Sequence, residues 1–264
     1  MKAILKYPGA KNRIAKWICS YIPQHNVYVE PYAGSLAVFF EKHPARIETL
    51  NDLDGDVVNY FRVIRNEPEA LYKALKNTPY ARDEYYDAYN RLESDTDVER
   101  ARKFAVRCWQ GFGCGNVYRN GFRSSQRGSG PHTTKEWREI PERLAMANER
   151  LLNAQIENIP ALEIIRRYNT PDVFMYIDPP YLRGTRKDHL YRYEMEDSEH
   201  KELLEEIQEH PGKIIISGYD NEMYNTMLCG WRKDSTRTQA EAGVKRTETI
   251  WMNFEPEGQM RLDV

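Results

Sequence analysis

The run Val173-Phe174-Met175-Tyr176-Ile177 leads directly into Asp178-Pro179-Pro180-Tyr181. An unbroken apolar run closed by a carboxylate predicts a strand covered on both faces, which calls for a sheet with helices on each side. In open α/β sheets of this kind, ligands sit at the carboxyl ends of the strands. The charge of Asp178 therefore emerges at a ligand-binding edge. Pro179 and Pro180 fix φ and remove two backbone donors, so the turn is rigid and its carbonyls point outward unpaired. Tyr181 adds a flat aromatic surface. Acceptors for an amino group beside a stacking surface suit a planar, amino-bearing ring such as a nucleobase.

The amino-terminal part repeats the strand-to-ligand logic. Val27-Tyr28-Val29-Glu30 predicts a strand running into Pro31-Tyr32-Ala33-Gly34-Ser35. A helical stretch over 36–40 and a second strand over 47–50 follow, and that strand ends in Asn51-Asp52-Leu53-Asp54. Strand, glycine turn, helix, strand and acid are the layout of a nucleoside-binding unit, in which Asp52 is placed to accept both hydroxyls of a ribose. Asp54 and Asp56 are nearby alternatives for that contact, read in preference as solvated or as caps of the next helix. A dinucleotide site would need further glycines where Leu36 and Ala37 stand, so a ligand without phosphates fits better. On composition alone, Lys11 in the turn Lys6-Tyr7-Pro8-Gly9-Ala10-Lys11 reads as a solvated surface group.

Residues 57–152 change character, being charged, rich in Tyr and Arg, and helical in pattern as far as Gln110. From 111 to 132 there is no Asp or Glu, while Arg119, Arg123 and Arg127 occur among Phe112, Tyr118 and Phe122. With a formal net charge of −2, a DNA-binding surface has to be local, and this loop supplies one. A helix is expected over 141–151, strands over 155–159, 213–216 and 249–252, and a helix over 198–210. The chain thus divides into a first core part (1–56), a helical insertion (57–152) and a second core part (153–264). No apolar run approaches the ~18–20 residues of a membrane span. The start leaves no room for a signal-peptide core. Cys19, Cys108, Cys114 and Cys229 lack metal-ligand spacing, so the expectation is a cytoplasmic protein with reduced thiols and no metal.

Tyr7-Pro8-Gly9-Ala10-Lys11, Glu30-Pro31-Tyr32-Ala33-Gly34, Asn51-Asp52-Leu53-Asp54 and Asp178-Pro179-Pro180-Tyr181 resemble, in the same order, the motifs of Dam-type, D12 class adenine-N6 DNA methyltransferases. The stretches Ile156-Glu157-Asn158, Ser217-Gly218-Tyr219 and Thr247-Glu248-Thr249-Ile250-Trp251-Met252-Asn253 are similar to the phage and prophage branch of that family. The likeness spans nearly the whole chain. It implies a Rossmann-like, S-adenosylmethionine-dependent methyltransferase sheet with an inserted, mainly helical target-recognition domain. It also implies S-adenosylmethionine as methyl donor, double-stranded DNA as partner, a monomer in solution and a cognate restriction endonuclease as companion.

Carried over by residue, the resemblance makes Tyr7, Lys11, Asp52 and Asp178 cofactor contacts, with Glu30 and Gly34 lining the methionine end. Asp178, Pro179, Pro180 and Tyr181 become the catalytic turn, with Tyr181 stacking on an adenine turned out of the duplex. Lys11, Arg119, Asn120 and Arg123 become DNA contacts. Three departures stand out. Leu36 lies near a family glycine, and Asn158 stands where some members carry Asp to hold the donor's adenine. The 119–123 stretch keeps only the Arg/Asn flavour of the GATC-reading loop. The segment 182–197, with Arg183, Arg186, Lys187, Tyr191 and Arg192, reads either as a cover over the base or as a solvated loop. RNA adenine or a protein amide as acceptor, or an inactive DNA-binding relic, are the alternative readings; Asp178 rather than Asn before the prolines argues against the amide.

Overall fold

The computed structural model describes residues 2–113, 118–125, 132–185, 191–239 and 245–256. Seven strands form one sheet: β1 (Val27–Glu30), β2 (Ile47–Asn51), β3 (Ala154–Glu157), β4 (Val173–Ile177), β5 (Lys213–Tyr219), β6 (Arg232–Gln239) and β7 (Lys245–Met252). Their order is β3-β2-β1-β4-β5-β7-β6. The first five strands are parallel, whereas β7 runs antiparallel to both β5 and β6. The winding moves outward from β1 to β3, then restarts on the other side at β4. That reversal leaves a crevice at the carboxyl ends of β1 and β4, the place where a doubly wound sheet binds its ligand.

Alternation along β4 explains the two layers. Val173, Met175 and Ile177 join a core with α9 (Ala161–Arg167), α10 (Asp197–Gln208) and α11 (Glu222–Met227). Phe174 and Tyr176 join the opposite core, with α1 (Ala15–Cys19) and α2 (Ala37–Glu41). Every residue of β4 is buried, which is why it reads as a continuous apolar run. Mixed α/β architecture of Rossmann-like type is the result.

Between β2 and β3 the described chain is helical: α3 (Gly55–Asn66), α4 (Pro68–Asn77), α5 (Arg82–Asp87), α6 (Asp97–Gln110), α7 (Thr133–Arg138) and α8 (Ile140–Leu151). Its apolar faces, with Tyr60, Phe104 and Leu144, continue the core that begins on the sheet. Capping follows local chemistry. The side chain of Thr96 accepts the Glu99 N–H at 3.2 Å, and Glu196 and Glu199 make a reciprocal capping box at α10. The 111–123 stretch is closed by an isolated antiparallel bridge between Gly111 and Phe122. Among the described residues no helix is long and apolar enough to cross a membrane.

Strand β6 and the short helices α1, α7, α9 and α11 escape the sequence pattern. Strand β6 reads Arg-Lys-Asp-Ser-Thr-Arg-Thr-Gln, without an apolar residue, because it is an edge strand paired on one side only. Helix α9 is too short for its period to show.

Candidate active site

A cavity of about 220 Å³ opens at the strand-order reversal. Its lining includes Tyr7, Lys11, Glu30, Gly34, Asp52 and Asp178, so the positions expected to hold a cofactor meet in one place. Glu30 is the last residue of β1, while Asp52 and Asp178 directly follow β2 and β4. Parallel strands in register deliver the three carboxyl groups to the same edge.

Asp52 is tied to the turn it faces. Its Oδ2 accepts the Gly34 N–H and its Oδ1 the Asp54 N–H, both at 2.8 Å. Gly34 takes φ +46°, and a Cβ there would meet the Tyr7 ring at 3.4 Å. Burial pushes the Asp52 carboxyl up to about 7, against the opposing pull of the Gly34 and Asp54 N–H groups. Burial likewise pushes Glu30 up to about 8, although the Tyr28 hydroxyl donates to it at 2.7 Å. Asn51 staples the floor: its Nδ2 donates to the Pro31 and Ile159 carbonyls at 2.9 and 3.0 Å, and its Oδ1 accepts the Ile159 N–H at 3.0 Å. The Nδ2 of Asn158 is engaged by the carbonyls of Asp52 and Leu53, at 2.7 and 3.2 Å, so this side chain props the Asp52 loop.

Asp178 is held from two sides. Lys11 Nζ lies 2.9 Å from its Oδ2, and the Ser217 hydroxyl donates to its Oδ1 at 2.8 Å. Ser217 in turn meets the Tyr176 hydroxyl at 3.0 Å. Lys11 also donates to the Gly9 carbonyl at 2.6 Å and lies over the Tyr181 ring, 4.8 Å from its centroid. Lys11 is only 5% exposed, contrary to the surface reading of its turn. Burial alone would lower its pKa, but the charges of Asp178 and Glu248 outweigh that and raise it. The Tyr181 ring is buried beneath this ammonium. Its hydroxyl donates to Glu248 Oε2 at 2.7 Å, and the Tyr219 ring meets it edge-on at 4.7 Å.

Ser217 and Glu248 were not singled out by their chemistry in the sequence. For Ser217 the available signal was a polar residue directly after the apolar run Ile214–Ile216; Glu248, between Thr247 and Thr249, gave none.

The opposite wall carries an ionic cluster. Asp54 caps α3 by accepting the Asp56 N–H at 3.0 Å, yet both acids are buried rather than solvated. Arg192 spans them, with 3.0 Å contacts to Asp54 Oδ1 and Asp56 Oδ2, and Arg107 reaches Asp56 Oδ2 at 2.8 Å. Arg91 pairs with the other oxygen of Asp56. The anchor at Arg192 fixes the segment whose Tyr191, Tyr193, Glu194 and Met195 line the cavity. That part of 182–197 is a wall, not a solvated loop; Arg186 and Lys187 lie outside the described residues.

The residues expected to touch DNA, apart from Lys11, sit elsewhere. The Arg119 guanidinium lies over the Tyr86 ring at 4.9 Å, the Asn120 carbonyl accepts from the Tyr85 hydroxyl at 2.8 Å, and Arg123 pairs with Glu136 at 3.3 Å. Phe112 and Tyr118 are exposed on the same stretch. Lys6 donates to the Gly113 carbonyl at 3.1 Å, tying this loop to the amino-terminal turn of the site. Arg127 and Cys114 lie outside the described residues.

Comparison with known proteins agrees with this geometry. The chain is 23% identical over 256 residues to the type II methyltransferase M.MjaIII of Methanocaldococcus jannaschii, covering 84% of this chain and 85% of that protein. It is 29% identical over 198 residues to M.CviBI of Paramecium bursaria Chlorella virus NC1A, covering 69% of each. A further match, 29% identical to M1.LlaDCHI of Lactococcus lactis, covers 39% of each chain. Residues 7–235 match the family described as D12 class N6 adenine-specific DNA methyltransferase. A match of that extent, over a site assembled from the family's own motifs, settles membership: the chain belongs to the D12 class of N6 adenine-specific DNA methyltransferases, enzymes that methylate adenine N6 in DNA.

Proposed function

We propose that the cavity binds S-adenosylmethionine and that the Asp178–Tyr181 turn presents the amino group of an adenine, flipped from duplex DNA, to the cofactor's methyl group. The observation that carries this reading is the convergence of Asp52 and Asp178 on one cavity at the strand-order reversal. The donor set fits the cofactor. Each Asp52 oxygen takes a backbone N–H within the turn and keeps a lone pair for a ribose hydroxyl. Leu53, Pro160 and Leu162 supply apolar lining for a purine, and Glu30 with Gly34 lines the methionine end. When bound, the cofactor supplies a methyl group activated on a sulfonium.

The protein's own part is orientation. An exocyclic amine conjugated into a purine is a poor nucleophile. Asp178 and the Pro179 carbonyl, accepting its two N–H bonds, disfavour the flat geometry and aim the lone pair. The Asp178 carboxylate also opposes positive charge developing on nitrogen. Tyr181 supplies the stacking surface for the extruded base. Residues 57–152 carry target recognition, with Arg119, Asn120 and Arg123 meeting the DNA; a phosphate would take the place of Glu136 at Arg123. The relatives' type II designation supports a companion restriction endonuclease.

The test is a calorimetric titration with S-adenosylmethionine, followed by transfer to duplex DNA with mass-spectrometric detection of N6-methyladenine. Methylcytosine as the product would overturn the choice of base. Asp52→Ala is expected to weaken cofactor binding by about 1–3 kcal/mol, the cost of losing a buried acceptor. Because burial holds its carboxyl near 7, wild-type affinity should fall as pH is lowered through that value, since the protonated group accepts less well. Asp52→Asn should lack this pH step. Unchanged affinity in Asp52→Ala would remove the residue from the site. Replacing Arg119 and Arg123 by Ala should weaken DNA binding and flatten its salt dependence, by about 0.9 in log–log slope for each phosphate no longer neutralised, with cofactor affinity intact. A wild-type slope would show that the loop does not touch phosphates.

A further inference from the structure

We propose that Glu248 is a positioning residue for methyl transfer, holding Tyr181 in the orientation that receives the target base; this rests on the reading of Tyr181 as the base-stacking surface. Glu248 lies on β7, 8% exposed, opposite Tyr219 of β5 on one side and Thr236 of β6 on the other. A carboxylate at a buried strand position is costly unless something binds it, and an apolar residue there would pack without that cost. What Glu248 Oε2 holds is the Tyr181 hydroxyl, at 2.7 Å. The ring it fixes is the one that Tyr219 meets edge-on and Lys11 covers.

Two effects follow from this hydrogen bond. A phenol free at its hydroxyl end can tilt about its side-chain torsions, whereas one donating to an anchored carboxylate keeps a single plane. Donation to an anion also enriches the ring in electron density. That favours attraction between its face and a purine that becomes cationic as the methyl group arrives. Glu248 thus acts through Tyr181 rather than on the base, and no proton needs to leave the phenol.

The test uses the full chain in single-turnover transfer at saturating DNA and S-adenosylmethionine, with melting temperature and calorimetric cofactor affinity measured alongside. Glu248→Ala is expected to slow transfer roughly 10- to 100-fold while cofactor affinity stays within about twofold. Glu248→Gln, which keeps an acceptor for the phenol, should recover most of the positioning. Tyr181→Phe should match Glu248→Ala, and the double variant should be no slower than the slower single one. A purely structural role predicts a lowered melting point with transfer near the wild-type rate, and that result overturns the inference. So do multiplicative penalties in the double variant. Should Glu248→Ala not fold, Glu248→Gln, Tyr181→Phe and their combination form the same cycle. Wild-type transfer by Tyr181→Ala would instead sink the base-stacking role itself, whereas slow Tyr181→Ala with fast Glu248→Ala sinks only the role of Glu248.

Discussion

Replacing Asp178 by Ala is expected to abolish methyl transfer, a loss of at least about 10³-fold in single-turnover rate. Asp178 is the acidic residue at the end of β4, and its carboxylate is oriented from both sides by Lys11 and Ser217. Without it the Pro179 carbonyl is left to receive the amine, and the positive charge growing on nitrogen has the Lys11 ammonium nearby. The variant is therefore worse than neutral for the reaction, because the buried Lys11 ammonium loses the carboxylate it pairs with directly. Asp178→Asn separates the contributions. It keeps the shape and one acceptor oxygen, so folding should hold while transfer still falls steeply. The measurement is rapid-quench transfer to a duplex, read as N6-methyladenine. An Asp178→Ala protein working near the wild-type rate would sink the mechanism.

Asp56→Ala should be the most damaging change to stability that leaves the reacting groups untouched, costing about 3–5 kcal/mol. Asp56 is 4% exposed and pairs with Arg107, Arg192 and Arg91. Burial would raise its carboxyl, but the arginines outweigh that and hold it below the usual range. Removing the carboxylate leaves Arg107, whose guanidinium is largely covered, with only the Ala88 carbonyl to accept from it among the described residues, and loosens the grip on Arg192 that fixes the 191–196 wall. The melting temperature should drop by roughly 6–20 °C, at about 2–4 °C per kcal/mol for a chain of this size. Asp56→Asn should fall between wild type and Asp56→Ala. A melting point within about 2 °C of wild type would show that the cluster is solvated and weak.

How far the sequence spoke for itself depended on where its information was local. Strands β1 and β4 announced themselves because parallel strands buried on both faces leave continuous apolar runs, and the acids at their ends were legible for the same reason. Lys11 was not legible as a buried group, since it is covered by the turn after β4, far along the chain. The Arg192–Asp56 pair joins residues 136 positions apart, which no periodicity can reveal. Ser217 and Glu248 are polar residues inside strands, and their meaning lies in which neighbour the sheet brings alongside. Edge strand β6 offered no pattern, because an edge needs none.

The place of β7 in the sheet sets a timetable for biosynthesis. β5 is made well before the strand that covers its outer edge, and at roughly 5–20 residues per second the gap lasts on the order of seconds. During that interval the apolar stretch of β5, Ile214 to Ile216, borders an unpaired edge, which is the condition under which strands recruit foreign chains. A chaperone or a rapid hairpin closure of β6 onto β7 has to bridge the gap. Since Glu248 arrives with β7, the Tyr181 hydroxyl, made 67 residues earlier, gains its carboxylate partner only when that strand docks.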